Sequence, residues 1–67
     1  MNPSDVSRKQ LYGVKDAMVI LSLGRTALYE QIRAGRLRSV MEGRRRLIPA
    51  SAIADYIALL EREAKAA

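Results

Sequence analysis

Two short helical patterns follow each other closely in this chain. The first covers residues 14–22, where apolar residues recur at intervals of three and four and so share one helix face: Val14, Ala17, Met18 and Leu21. The second runs from about residue 25 to 34, with Leu28 and Ile32 on its inner face and Gly35 as its C-terminal cap. Because a glycine-containing turn of about three residues joins them, the pair has the spacing of a helix-turn-helix.

The segment after the second helix changes to extended spacing. Two short candidate strands, residues 37–41 and 45–48, flank Glu42-Gly43-Arg44, in which the glycine supplies a turn. Pro49 ends the second strand because it has no N–H to donate to a neighbouring strand. These signals predict a β-hairpin with three successive arginines at its tip and on its second strand.

A third helix is expected from about residue 52 to 64, with Ser51 as its N-cap. Helix, helix, hairpin, helix is the order of a winged helix-turn-helix, so the predicted fold class is mostly α with a small β-hairpin. Residues 1–10 are polar and aperiodic and are predicted to form a flexible N-terminal arm, which leaves residues 11–67 as one folded domain. The predicted core draws on all four elements: Val14, Ala17, Met18, Leu21, Leu23, Leu28, Ile32, Leu37, Val40, Ile48, Ile53, Tyr56, Ile57 and Leu60.

The positive charge is concentrated in the middle third of the chain. The 67 residues carry 12 lysines and arginines against seven acids, a net charge of +5. Residues 25–46 hold seven arginines and only two acids, Glu30 and Glu42, so this window accounts for the whole excess. Arginine offers a planar fork of donors that matches phosphates and guanine edges. The pattern therefore indicates a nucleic-acid-binding surface, and a solvated basic face is the alternative.

The residue types that the chain lacks argue against several other classes of protein. Without cysteine there is no disulfide, thiolate nucleophile or zinc–thiolate site, and without histidine the usual general base and commonest metal ligand are missing. We therefore expect no enzyme, no metal or cofactor and no small-molecule ligand. The longest apolar run has five residues, far below the roughly 20 that span a bilayer. With no apolar secretory signal in residues 1–10, the expected location is the cytoplasm, without a membrane partner.

Several stretches of the chain, taken in order, carry a family resemblance. They are the first helix KDAMVILSLG, the second helix RTALYEQIRAG with its Tyr29 and closing Gly35, the RL that follows it, and the block GRRRLIPASAIADYI. Together they resemble the excisionase-family DNA-binding domain, a MerR-like winged helix-turn-helix. The resemblance covers residues 11–57, about 70% of the chain. Gly24 stands where the family usually has a serine before the second helix.

The resemblance implies a role in DNA transactions of phages and mobile elements. Members include recombination directionality factors, which bind and bend attachment-site DNA and turn an integrase toward excision, and others are small transcription regulators. The expected function is that of an excisionase on double-stranded DNA, in a bacterial or phage-infected cell, with integrase as a further partner. A small transcriptional repressor with the same DNA-binding surface is the alternative. Head-to-tail self-association on DNA is a hypothesis extended from the family.

The second helix is expected to lie in the major groove and to supply four of the predicted DNA contacts. Arg25 is placed on a guanine edge, with a phosphate as the alternative. Thr26 either contacts a thymine methyl group or caps the helix. Tyr29 either donates to a phosphate or covers the edge of the core, and Arg33 is expected to reach a phosphate.

The hairpin tip is the predicted wing, where Arg44, Arg45 and Arg46 enter or flank a minor groove whose negative potential attracts arginine. Side chains alternate along a strand, so one of Arg45 and Arg46 points back over the sheet, and the register decides which. Arg36 and Arg38 are expected to approach the DNA backbone near the junction of helix and hairpin. A plain exposed face is the alternative for these two residues.

Two further alternatives keep the basic face but change the partner. A protein–protein adaptor would bind an acidic partner and show little affinity for DNA at physiological salt. RNA binding is disfavoured because the three tyrosines are the only aromatic residues on which bases could stack.

Overall fold

The computed structural model describes residues 9–66. Within them, three helices and three short strands follow one another in the order β1 (Leu11–Gly13), α1 (Val14–Leu21), α2 (Arg25–Arg33), β2 (Val40–Glu42), β3 (Arg45–Pro49) and α3 (Ala50–Ala66). The prediction of a mostly helical winged helix-turn-helix is confirmed. Residues 1–8 of the predicted N-terminal arm lie outside the described residues, so the arm stays a prediction.

The three strands form one antiparallel sheet with β3 in the centre. β2 is the expected hairpin partner of β3, and β1 pairs with the other edge of β3, where Tyr12 lies opposite Ile48. The sequence pattern does not predict β1, because three residues that lead directly into a helix show no readable alternation. The consequence is that the start of α1 is tied to the hairpin through the sheet.

The turn between α1 and α2 is closed by the two hydrogen bonds of a Schellman motif. Ser22 has a left-handed backbone conformation, with a φ of 55°. Its N–H donates to the carbonyl of Val19 at 3.3 Å, and the N–H of Leu23 donates to the carbonyl of Met18 at 3.0 Å. α1 therefore ends at Leu21, one residue earlier than predicted.

Two glycines occupy the positions where the backbone needs a positive φ. Gly35, with a φ of 76°, follows the last turn of α2 and closes it as predicted. Gly43, with a φ of 60°, is the first residue of the two-residue turn between Glu42 and Arg45. A positive φ at the first central residue alone is the signature of a type II′ hairpin turn, which fits the twist of the strands.

α3 begins directly where β3 ends. Pro49 is the last strand residue and Ala50 the first helical residue, and the N–H of Ala50 donates to the carbonyl of Gln10 at 2.8 Å. Ser51 consequently lies inside the first turn, so its prediction as the N-cap is wrong. The start of α3 is fixed by the sheet rather than by a capping side chain.

The core lies between α1, α2, the sheet and the first half of α3. Its largest fully buried side chains are Leu28, Leu37 and Ile48. Half-buried side chains pack around this cluster: Tyr12, Val14, Met18, Leu21, Leu23 and Ile32. The predicted core is wrong at Val40, which lies on the edge strand β2 and is 43% exposed, and it misses Leu47 on the central strand, which is 8% exposed.

α3 presents a different face to the core than its large apolar residues predict. Ile57 and Leu60 were expected inside, but they are 42% and 40% exposed. The buried positions include Ala52 and Tyr56, four residues apart on a neighbouring face of the helix. An alanine gives no signal in a stripe of large apolar residues, yet its small side chain lets the helix approach the sheet closely. The expected stripe is therefore rotated partly into solvent.

Candidate nucleic-acid interface

An open cleft lies between the start of α1, the first half of α2 and the hairpin. Its volume is about 640 Å³, and it is lined by five cationic side chains, those of Lys15, Arg25, Arg44, Arg45 and Arg46. No carboxylate of the described part of the chain lines it, and its other walls are formed by Gly13, Val14, Tyr29 and Met41. We call this surface the cationic cleft. Its charge suits a polyanion.

α2 places its predicted contact residues on the side away from the core. Arg25 is its first residue and reaches into the cationic cleft, while Gly24 occupies the N-cap without a side chain. Thr26 is exposed inside the first turn rather than at the N-cap, which leaves its hydroxyl and methyl group facing solvent. Arg33 is exposed in the last turn and lies outside the cleft.

The register of the hairpin shows which of Arg45 and Arg46 points back over the sheet. Glu42 lies opposite Arg45, and Met41 lies opposite Arg46. Arg45 is exposed, whereas Arg46 is half-buried on the same face of the sheet as Ile48. Arg46 is therefore the residue that points back over the sheet, and Arg45 points outward beside the tip.

Arg46 is held by contacts with two other segments of the chain. Its Nη1 donates to Oγ of Ser39 at 2.5 Å. Its guanidinium carbon lies 5.9 Å from the centre of the Tyr29 ring, within the range of a cation–π contact. One side chain thus connects β3, the segment before β2, and α2. Tyr29 is half-buried and also borders the cationic cleft.

Arg36 is bound to α3 rather than directed into the cationic cleft. Its Nη1 and Nη2 donate to Oε2 and Oε1 of Glu63 at 2.6 Å and 2.7 Å, and its Nε donates to Oε1 of Gln31 at 2.7 Å. The hydrogen bonds from Arg36 lower the pKa of the Glu63 carboxyl, and the same bonds raise the pKa of the Arg36 guanidinium. This arrangement satisfies most of the fork of Arg36 within the protein.

Arg38 is also paired with a carboxylate of α3. Its Nη2 donates to Oδ2 of Asp55 at 2.6 Å, and both side chains are well exposed. The cationic cleft thus gathers Arg25, Arg44, Arg45 and Arg46 but neither Arg36 nor Arg38. The prediction that these two arginines approach DNA stays a prediction, with the carboxylates of α3 as competitors for their donors.

Lys15 is a lining residue of the cationic cleft that sequence reasoning missed. It lies in the first turn of α1, directly after β1. The signal that would have found it is the strand itself, because pairing of Gly13 with Leu47 brings the start of α1 beside the hairpin. Lys9, by contrast, has its Nζ 3.6 Å from Oδ2 of Asp16 and does not line the cleft.

Residues 9–66 show neither a metal-binding cluster nor a membrane-spanning helix. No group of three or more histidine, cysteine, aspartate or glutamate side chains in this range is placed to hold a metal ion. None of its helices has the length and apolar character that a bilayer-crossing segment needs.

The sequence profile of the family described as helix-turn-helix domain matches residues 11–58, the span from β1 into α3. The chain belongs to this family. This helix-turn-helix domain is 44% identical over 57 residues to a curated protein from Saccharopolyspora erythraea named "Probable excisionase". The alignment covers 85% of the chain and 58% of the relative, so the chain spans less than two thirds of that protein's length. No solved structure matches it significantly. The predicted resemblance to an excisionase-family helix-turn-helix DNA-binding domain is confirmed.

Proposed function

We propose that this helix-turn-helix domain binds double-stranded DNA sequence-specifically and acts as an excisionase, which bends attachment-site DNA and directs an integrase toward excision. The observation that carries the DNA-binding part is the cationic cleft, where cations from α1, α2 and the hairpin converge without an opposing described carboxylate. The similarity to a protein named as a probable excisionase supports the excision part.

In the proposed complex α2 lies in the major groove. Arg25 and Thr26 occupy its N-terminal turn, where side chains of a recognition helix reach base edges. Arg25 is assigned the bidentate contact with a guanine, and Thr26 a contact with a neighbouring base or phosphate. Arg33 in the last turn is assigned a phosphate. Tyr29 borders the same surface, and its hydroxyl is assigned a hydrogen bond to a phosphate oxygen.

The hairpin is the proposed minor-groove wing. Arg44 at the tip and Arg45 beside it are exposed, and both line the cationic cleft. A narrow minor groove concentrates negative potential and attracts such side chains. Lys15 faces the same cleft from α1, and the first helix of this motif usually crosses the DNA backbone. Lys15 is therefore assigned a phosphate between the two grooves.

Arg36 and Arg38, which are predicted to approach the DNA backbone, are also assigned a structural role in this proposal. Each donates to a carboxylate of α3, so a DNA phosphate would have to displace Glu63 or Asp55 to bind them. The pairs hold the segment between α2 and β2 against α3. This placement leaves the main DNA contacts to Lys15, to the contact residues of α2 and to Arg44 and Arg45 of the hairpin.

Self-association is proposed to accompany binding. A single module of this size buries about 600–1,000 Å² on DNA, which gives one copy a modest affinity. Several copies arranged head to tail on adjacent sites would bind more tightly through cooperativity. Titration of duplexes with one, two and three sites tests this: a steeper binding curve on longer arrays supports it, and independent one-site behaviour on all of them contradicts it.

The function is tested by footprinting the protein on its own genomic neighbourhood and by reconstituting excision with the cognate integrase. Protection beside an integration locus, together with excision that depends on the protein, supports the excisionase. Protection of a promoter without an effect on excision would identify the repressor instead. Weak binding to both genomic and random duplexes at physiological salt would favour a protein adaptor.

A further inference from the structure

We propose that Arg46 is a positioning residue, which links the wing to α2 and fixes the separation of the two DNA-reading elements without touching DNA itself. The inference rests on the proposed DNA-binding function and refines it. It concerns a residue that the sequence pattern alone groups with Arg44 and Arg45 as a third wing contact.

The outer end of the hairpin needs such a link because its residues before Leu47 are not part of the buried core. β2 is exposed along its whole length, and it forms an edge of the sheet. Burial on β3 begins at Leu47, so the tip projects beyond the core. A two-stranded ribbon of this length is only marginally stable without further contacts. The position of the tip relative to α2 therefore depends on what its side chains touch.

Arg46 provides the contact between the hairpin and α2. Its guanidinium carbon lies 5.9 Å from the centre of the Tyr29 ring, and its Nη1 donates to Oγ of Ser39. Arg46 is half-buried, in contrast with the exposed Arg44 and Arg45. The guanidinium lies over the Tyr29 ring, and the Ser39 hydroxyl accepts a hydrogen bond from one end of its fork.

The effect on binding follows from the two-point attachment to DNA. Once α2 lies in the major groove, binding of the wing is intramolecular. The resulting advantage, a gain in affinity, depends on how well the position of the wing matches the neighbouring groove. A fixed separation keeps that advantage, and a freely moving hairpin loses part of it. Loss of the Arg46–Tyr29 contact should therefore weaken binding while leaving the phosphate contacts themselves in place.

The decisive measurement is the salt dependence of affinity for one duplex, compared between Arg46→Gln and the matched control Arg45→Gln. Loss of one phosphate contact lowers the slope of log K against log salt by about 0.9. We expect Arg45→Gln to show that loss. Arg46→Gln should weaken binding about two- to fivefold, the range that corresponds to an exposed cation–π contact, with the slope nearly unchanged. A slope change equal to that of Arg45→Gln would overturn the proposal.

A double-mutant cycle tests the partner. Tyr29→Leu removes the ring, and Tyr29→Phe keeps it while removing the hydroxyl. If Arg46 acts through the ring, Arg46→Gln should add little to Tyr29→Leu but should retain its full effect in Tyr29→Phe. Additive losses in both backgrounds would contradict the link.

The contact can also be measured without DNA, so this test is independent of the proposed function. In the free protein, ring currents of Tyr29 should shift the side-chain protons of Arg46 upfield, and Tyr29→Leu should abolish the shift. Thermal unfolding of each variant confirms that it is folded. Unshifted Arg46 protons in the folded wild type would refute the link, whereas shifted protons in a protein that does not bind DNA would refute the function alone.

Discussion

Arg36 and Glu63 are joined by two parallel hydrogen bonds of 2.6 Å and 2.7 Å across 27 residues of sequence. The pair connects the segment after α2 to the second half of α3, where few apolar contacts hold the helix. Bidentate geometry makes such a pair stronger and more directional than a single contact. The Arg36 guanidinium is thus paired within the protein, and it does not line the cationic cleft.

Removing the carboxylate should make the stability of the domain less sensitive to acid. The pKa of Glu63 is lowered in the folded chain by its hydrogen bonds to Arg36. The stabilisation is therefore fully present above the ordinary glutamate pKa of about 4.3, and it is lost as pH falls through the lowered value. We expect Glu63→Gln to unfold at a lower temperature than the wild type at pH 7, with the difference disappearing in acid.

Thermal unfolding at a series of pH values checks this prediction. Glu61→Gln is the matched control, since Glu61 lies on the same helix and forms no ion pair with another residue in the range 9–66. A constant difference between Glu63→Gln and the wild type at every pH would show that the pair is not the cause.

Glycine at position 22 should stabilise the fold. Ser22 carries a side chain in a left-handed backbone conformation, with a φ of 55°. Relief of that strain outweighs the extra entropy of glycine in the unfolded chain, for a net gain of about 0.5–1 kcal/mol. Urea unfolding of Ser22→Gly measures the gain. The same change at Ser51, inside the first turn of α3, should lower stability instead; equal effects at both sites would refute the explanation.

The fold could be predicted from the sequence where the signal is local. The apolar spacing and the positive-φ glycines at 35 and 43 give the boundaries of α1, α2 and β3 within one residue, whereas β2 begins at Val40 rather than at residue 37. What escaped prediction depends on contacts between distant segments. β1 is visible only through its pairing with β3, and the buried face of α3 includes Ala52, which a pattern of large apolar residues does not show.

The candidate site likewise has a part that the sequence predicts and a part that depends on contacts between distant segments. The arginine-rich window identified Arg25 and the hairpin tip, which do line one cleft. It could not show that Glu63 and Asp55, far along the chain, engage Arg36 and Arg38. The sequence shows how many charged residues the chain has, whereas the fold determines which of them remain available to a ligand.

Lys15 offers a test of the part of the cleft contributed by α1. Lys15→Gln should reduce the salt slope of DNA binding by about 0.9, because one phosphate contact is lost. Lys9→Gln is a suitable control, since Lys9 contacts Asp16 and lies outside the cleft. Fluorescence anisotropy with one duplex at several salt concentrations gives both slopes. Equal slopes for the two variants would remove Lys15 from the interface.

Arg25 should determine sequence preference rather than general affinity. Arg25→Ala is expected to cost about 1–3 kcal/mol on the preferred site and little on random DNA, because a bidentate guanine contact is made only to the right base. Arg33→Ala, which removes an assigned phosphate contact, should weaken both duplexes alike. Competition binding with the two duplexes gives the ratio, and an unchanged ratio for Arg25→Ala would assign Arg25 to a phosphate.

The cationic cleft as the DNA-binding surface is tested most directly by one titration. Wild-type protein and the triple variant Arg25→Ala, Arg44→Ala, Arg45→Ala are titrated onto a genomic duplex at physiological salt, after circular dichroism has shown that both are folded. We expect the wild type to bind with a salt slope of about −4 to −5, as for four to six phosphates, and the triple variant to lose detectable binding. Equal affinity of the two proteins would contradict the cleft as the interface.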